Sequence, residues 1–197
     1  MLSKLKKKLI YFNEGLSQVE GALASLLSLI LLVAIFWQVI CRYILFISTP
    51  WAEELGRYMF IGISYIGAGV GMWKCQFTTI DIIDKVFEWT SKDEQKIAHR
   101  KLIVEKIALV LSLAFFIWFG IIYWDYLRTI AQRGQTSLAL GMNMLIPLST
   151  VMIGTVCMAI HTVCLIVTSS QDRQEVFDAL AAKREKRKNR NKKEVEG

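Results

Sequence analysis

Three side chains in the longest charge-free run of the sequence have the types and spacing of a metal site. Cys157, His161 and Cys164 are separated by four and three residues, which places them on one face of an α-helix. Thiolate and imidazole groups are good zinc ligands, but a structural zinc site needs four of them. The other histidine, His99, lies in a charged segment. Helix packing is therefore the simpler interpretation, and a metal-binding or redox membrane enzyme subunit is the alternative.

Two adjacent carboxylates and an arginine stand at the entrance of another apolar segment, in STPWAEELGRYMF. Thr49 and Pro50 have the residue types of a helix N-cap and a first helical residue. Glu53 and Glu54 would then lie near the positive end of the helix dipole. Arg57 follows them by four and three residues, a spacing that allows ion pairing within the helix. The pattern predicts a well-capped helix entrance.

The distribution of charged residues along the chain predicts the helices that position these residues. The chain has 197 residues, is 54% hydrophobic and carries a net charge of +7, a combination typical of membrane proteins. A helix needs roughly 20 largely apolar residues to cross a bilayer. The sequence predicts an all-α integral membrane protein with four transmembrane helices, at about residues 19–43, 50–74, 105–125 and 144–168. Pro147 suits the first turn of the last helix.

Lysine and arginine concentrate at one side of the predicted membrane domain. Of the 24 basic residues, 20 lie in the N-terminal segment, from Lys74 to Lys106, or from Arg173 to the end. Because such loops stay in the cytoplasm, both termini are expected there. Residues 1–18 form a basic N-terminal segment, 19–168 the membrane domain and 169–197 a basic tail. Residues 2–13 and 78–89 have the pattern of amphipathic helices at the inner leaflet.

The spans are expected to carry no ionisable group at depth. Ion and proton pathways usually need such groups, and secondary transporters usually show inverted repeats with broken helices. We therefore expect this chain to carry nothing across the membrane alone and to serve as the partner of another subunit. The basic tail lacks stacking aromatic residues, so anionic lipid is a better partner than nucleic acid.

A second feature of the predicted spans also favours a partner. Gly67, Gly69 and Gly71 crowd the second span, and such residues let helix backbones approach closely. Aromatic residues collect instead in FFIWFGIIYWDY, from Phe115 to Tyr126, where they suit lipid and the membrane interface. One surface is therefore predicted for helices and another for lipid.

Several short motifs resemble those of one transporter family. The entrance PWAEELGRY, the glycine-rich stretch, the segment TTID and the approach SLALGMNMLIPLSTVMIG occur in this order over about residues 20–168. Together they resemble the small transmembrane subunit, DctQ-like, of tripartite ATP-independent periplasmic (TRAP) transporters. Phe77 stands where that family often has histidine, which weakens any role carried over for the histidine.

The resemblance implies a function and a set of partners. In TRAP systems a periplasmic binding protein delivers an organic acid to a bacterial inner-membrane complex, and a sodium gradient drives uptake. The resemblance implies that this chain is no enzyme and holds no cofactor, since sodium sites are expected in the large elevator-type subunit. It is expected to scaffold that subunit as a heterodimer, with sialic acid favoured as substrate over a C4-dicarboxylate.

The resemblance also implies which residues face the partners. The predicted interface with the large subunit or with lipid contains one residue set: Trp51, Glu53, Glu54, Arg57, Gly67, Gly69, Gly71 and Asp81. Arg128 and Arg133 are the predicted cations for docking of the binding protein.

Two other classes of membrane protein lack the features they would need. A self-contained exporter would need an ionisable residue at depth, and a membrane sensor would need a soluble domain.

Overall fold

The computed structural model describes residues 2–74 and 94–168, together with residues 173, 176–180 and 182. The chain forms four long α-helices: α1 (Leu2–Tyr43), α2 (Pro50–Trp73), α3 (Glu94–Arg133) and α4 (Leu145–Val167). The described residues between 173 and 182 are helical as well. The predicted all-α fold is confirmed. The predicted segment 78–89 lies outside the described residues, and so does the predicted basic tail 169–197 apart from residues 173, 176–180 and 182.

The helix bounds agree with the sequence prediction at the short helices and extend beyond it at the long ones. α2 begins at Pro50, as predicted, and α4 runs within one residue of the predicted span at each end. α1 has 42 residues and α3 has 40, which gives lengths of roughly 60 Å at 1.5 Å per residue. The predicted amphipathic segment at residues 2–13 is continuous with α1. Both long helices therefore exceed the roughly 30 Å apolar thickness of a bilayer.

Three of the helices in the described part of the chain are long and apolar enough to cross a membrane, within Lys4–Tyr43, Ile103–Arg133 and Leu145–Val167. α2 is not among them.

The helices pack approximately in a row, with α2 between α1 and α4 and α3 against the other side of α4, and α1 also contacts α4 directly. The α1–α2 loop (residues 44–49) and the α3–α4 loop (residues 134–144) lie together at what we term the loop end. At the opposite end, the terminal end, Ile10 packs with Trp73, Cys164 and Leu165. The packed bundle thus already includes residues of the N-terminal basic segment.

The closest helix approach lies between α2 and α4. A Cβ atom placed on Gly154 would lie 2.7 Å from the backbone carbon and oxygen of Tyr65, well inside the usual 3.5–4.0 Å contact between carbon atoms. Only glycine fits this position without moving a helix. Close backbone packing is the way that helices associate where lipid competes for apolar side chains.

Candidate functional site

A buried histidine joins α1 to α4 near the terminal end. His161 has no exposed surface, and its two ring nitrogens contact the side chains of Asn13 and Glu20. The distances are 2.8 Å from Nδ1 to Asn13 Oδ1 and 3.1 Å from Nε2 to Glu20 Oε2. Asn13 and Glu20 are seven residues apart, so two helical turns bring them to one face of α1. We call Asn13, Ser17, Glu20 and His161 the histidine cluster.

The end of α2 closes over the histidine cluster. The Trp73 ring stacks on His161 with centroids 5.7 Å apart, and its indole N–H donates to Glu14 Oε2 at 3.0 Å. A Cβ atom on Gly69 would lie 3.0 Å from Glu20 Oε2, so the missing side chain gives the carboxylate its space. Polar and ring contacts thus tie α1, α2 and α4 together at one level.

The predicted absence of ionisable groups at depth is wrong at Glu20. This residue is 4% exposed, and its Oε1 atom and the Ser17 hydroxyl are buried without a hydrogen-bond partner among the described residues. Glu20 immediately precedes the charge-free run that begins at Gly21, so the sequence placed it at the edge of a span. A buried carboxylate needs a hydrogen-bonding partner, and the histidine of the last apolar run, His161, is the polar residue that supplies it here.

The predicted Cys157, His161 and Cys164 face exists, but it does not form a metal site. His161 and Cys164 are buried and Cys157 is half-buried. Both ring nitrogens of His161 are already within hydrogen-bond distance of α1 side chains. Across the described residues, no group of three or more His, Cys, Asp or Glu side chains could hold a metal ion.

The two adjacent carboxylates of α2 have different surroundings. Glu54 is buried and binds the α3–α4 loop: its Oε2 atom accepts hydrogen bonds from the backbone N–H of Ala139 at 2.8 Å and of Leu140 at 3.2 Å. The Tyr58 hydroxyl donates to Glu54 Oε1 at 2.7 Å. We call these residues, with Ser137, the Glu54 cluster. Glu53 is exposed and lines a hollow of about 450 Å³ beside the α1–α2 loop.

The predicted pairing of Arg57 with these carboxylates is not found. Among the ion pairs between described residues there is none to Arg57, whose side chain is exposed. Glu54 instead accepts hydrogen bonds from the α3–α4 loop. Consecutive residues on a helix point about 100° apart, so Glu53 faces another direction. Thr49 does occupy the N-cap position, but its side chain makes no capping hydrogen bond.

The other predicted site residues are dispersed. Trp51 is exposed at the start of α2. A Cβ atom on Gly67 would have no neighbour within 4 Å, whereas one on Gly69 would contact Glu20 of α1. The Arg128 guanidinium lies 5.6 Å from the centre of the Trp124 ring, and Arg133 is exposed at the end of α3. Gly71 is half-buried in α2. Asp81 lies outside the described residues.

One structural lysine was missed by sequence reasoning. The Lys106 ammonium donates to the backbone oxygens of Leu165 at 3.1 Å and Ile166 at 2.7 Å. These are among the last carbonyls of α4, which have no partner within their own helix. A cation near a helix C-terminus is stabilising, but the sequence does not indicate which helix a lysine of α3 would reach.

These contacts define a class of protein. Apolar helices long enough to span a bilayer are tied together by polar side chains whose partners belong to neighbouring helices, which is the architecture of a multi-pass membrane subunit.

A comparison with protein families identifies which subunit it is. The profile of "Tripartite ATP-independent periplasmic transporters, DctQ component" matches residues 31–172, and the chain belongs to this family. No curated protein matches the chain.

Membership establishes several properties. The chain is a small membrane component of a TRAP transporter in the inner membrane, and it is not an enzyme. The alternative interpretation of the Cys157, His161 and Cys164 face as an enzyme centre is therefore wrong. By the definition of the family, its partners are a large membrane subunit and a periplasmic binding protein.

Proposed function

We propose that this chain scaffolds the large, elevator-type subunit of a sodium-driven TRAP transporter. A domain that carries substrate across a membrane needs a stationary domain beside it, and four further helices enlarge that stationary part. The observation that carries the proposal is the family match over residues 31–172.

The row of helices supplies surfaces for such a role. α1 and α3 lie at the two edges of the row and carry most of the large exposed apolar side chains. Examples are Leu32 and Phe36 on α1 and Leu111 and Ile121 on α3. Large exposed apolar surfaces mark contact with lipid or with another protein. We propose that one edge faces lipid and that the other adjoins the large subunit.

We propose four spans with both termini in the cytoplasm. α2 has 24 residues, roughly 36 Å in length, and carries no charged residue between Tyr58 and Trp73. Its charged first turns then lie at the outer interface, where Trp51 is suited to the headgroup region. The concentration of basic residues near the terminal end supports this orientation. The loop end accordingly faces the periplasm.

Exposed residues at the entrance of α2 and near the end of α3 are proposed to contact the partners. Trp51, Glu53 and Arg57 are exposed at the entrance of α2 and are placed to contact the large subunit or a lipid headgroup. Gly67 offers an open, small surface on the same helix. Arg128 and Arg133 are proposed to meet acidic groups of the arriving binding protein. Reversing both charges is expected to weaken docking in low salt.

We propose sialic acid as the transported substrate and a C4-dicarboxylate as the second candidate. This choice rests on the resemblance to the family, because the binding protein and the large subunit select the substrate. A binding protein that retains a different organic acid during purification would contradict it.

The test of the proposed function is reconstitution. The tagged chain is expressed with the large membrane subunit encoded beside it and purified in detergent, where a one-to-one complex is expected. In liposomes the complex should take up substrate only with the binding protein and a sodium gradient. A chain that purifies alone, and uptake that proceeds equally without it, would refute the scaffold.

A further inference from the structure

Two apolar side chains are fully displayed at the loop end. Leu138, in the α3–α4 loop, is completely exposed at 103% of its reference surface, and Phe46, in the α1–α2 loop, is exposed to 87%. They lie on loops that contact neighbouring residues in the first turn of α2, since Phe46 shares a hollow with Glu53 and the Leu138 loop is bound by Glu54.

The loop that carries Leu138 has a fixed backbone. The N–H of Ser137 donates to the Met142 carbonyl at 2.8 Å, and the N–H of Gly141 donates back to the Ser137 carbonyl at 3.1 Å. The two residues after Leu138 both donate to the Glu54 carboxylate. Gly141 has a φ of 65°, a conformation that glycine adopts without strain. Leu138 is therefore presented on a preorganised turn, which lowers the entropy lost when a partner binds.

The backbone of Phe46 has an unusual conformation. Its φ is 55°, and it is the one described residue other than glycine with a positive φ. A bulky residue in this region is a genuine outlier, and such strain concentrates at functional sites and ligand clamps. The N–H of Ile47 donates to the Cys41 carbonyl at 2.9 Å, which folds the chain back after Phe46. The loop thus holds an aromatic ring outward at a conformational cost.

The rim around these side chains is mainly basic. Arg42, Arg57 and Arg133 are exposed at the loop end, as is Arg128, whereas the exposed carboxylates there are Glu53 and Asp125. A complementary surface would offer apolar pockets bordered by carboxylates, because opposite charges steer association and fix orientation.

We infer that Leu138 and Phe46 are the apolar anchors by which the soluble periplasmic binding protein docks on this subunit. The inference rests on the proposed function, which places the loop end in the periplasm. Buried apolar and aromatic anchors carry most of the energy of protein interfaces, while the surrounding charged rim contributes mainly to orientation and rate. The arginines are therefore expected to control the rate of docking and the two anchors its lifetime.

The first experiment measures docking of the labelled binding protein on the assembled complex in nanodiscs. Leu138→Ser is expected to weaken binding by about tenfold or more, mainly through faster dissociation, and Phe46→Ser to do likewise. Leu5→Ser is the matched control, because Leu5 is 71% exposed but lies at the terminal end. Unchanged dissociation rates in both anchor variants would overturn the inference.

A second experiment identifies what covers Leu138. In a Cys75→Ser background, a membrane-impermeant dye should label the new thiol of Leu138→Cys selectively, because Cys41 and Cys164 are buried and Cys157 is half-buried within α4. A blue shift on addition of the binding protein is expected. Quenching by brominated lipid, or a blue shift produced by the large subunit alone, would assign Leu138 to the bilayer or to the membrane partner and overturn the inference.

The two experiments separate the inference from the proposed function. Sodium-dependent uptake that needs the binding protein, together with anchor variants that dock normally, would refute the anchors and leave the scaffold standing. Labelling of Leu138→Cys from the cytoplasmic side would overturn both the proposed orientation and the anchors.

Discussion

Replacing His161 by leucine tests whether the histidine cluster holds the bundle together. The change removes two hydrogen bonds and leaves Asn13 Oδ1 and the Glu20 carboxylate buried without their partner. An orphaned buried polar group costs about 1–3 kcal/mol and a charged one more. Because Glu20 is 4% exposed, His161→Leu is expected to destabilise the bundle by about 3–5 kcal/mol, the range for breaking a buried pair from one side.

The double variant Glu20→Met/His161→Leu should be more stable than His161→Leu alone. Methionine has a similar shape to glutamate and carries no charge, so the double variant no longer buries an unpaired carboxylate. Only Asn13 Oδ1 then lacks its contact to His161, which costs about 1–3 kcal/mol of stability. The second substitution is thus expected to restore stability. Polar contacts between membrane helices average about 0.6 kcal/mol in other systems; if that value applies here, both variants will lie within about 1 kcal/mol of the wild type.

The assay is reversible unfolding in mixed micelles, followed by the fluorescence of Trp73, which stacks on His161. The chain carries six tryptophans, so a Trp73→Phe background defines the part of the signal that reports on the cluster. Thr162→Val is the control, since its hydroxyl bonds within α4, to the Met158 carbonyl at 2.7 Å. A double variant as unstable as the sum of the two single variants would refute the reasoning, because the pair would then not act as a unit.

Three further predictions concern single contacts. Gly154→Ala should destabilise the bundle by about 1–3 kcal/mol through overpacking, whereas Gly120→Ala, where a Cβ would meet open space, should be neutral or stabilising by up to about 1 kcal/mol; equal unfolding midpoints would contradict the close approach. Lys106→Met should speed amide hydrogen exchange in the last turn of α4, and unchanged exchange would show that water caps these carbonyls equally well. Glu54→Ala should speed exchange in the α3–α4 loop while the neighbouring Glu53→Ala should not, and equal effects would contradict the different surroundings of the two carboxylates.

Sequence patterns predicted the short helices well and the long ones poorly. Pro50 and the charge-free run after it defined α2 closely, because proline and glycine act on the backbone locally. α1 and α3 continue past their apolar runs, through residues 2–18 and 94–104. Lysine, glutamate and glutamine are good helix formers, so a change from apolar to charged residues marks the edge of a bilayer and not the end of a helix.

The polar contacts were harder to predict, because they depend on which helix lies opposite. Glu53 and Glu54 are the same residue type at adjacent positions. Because consecutive helical residues point about 100° apart, the α3–α4 loop binds Glu54 and not Glu53. The pair of Glu20 and His161 required the order of helices in the row, which no local pattern contains. The exposure of Leu138 and Phe46 could not be predicted from composition, since isolated exposed apolar residues are common.

The separation between Glu20 and His161 has a consequence for biosynthesis. The two residues are 141 positions apart in the chain, and ribosomes add roughly 5–20 residues per second. Glu20 is therefore synthesised about 7–28 s before His161, its partner in the folded bundle. A nascent chain that stops before α4 lacks the partner of Glu20, so this contact between α1 and α4 forms only after nearly the whole membrane domain has been made.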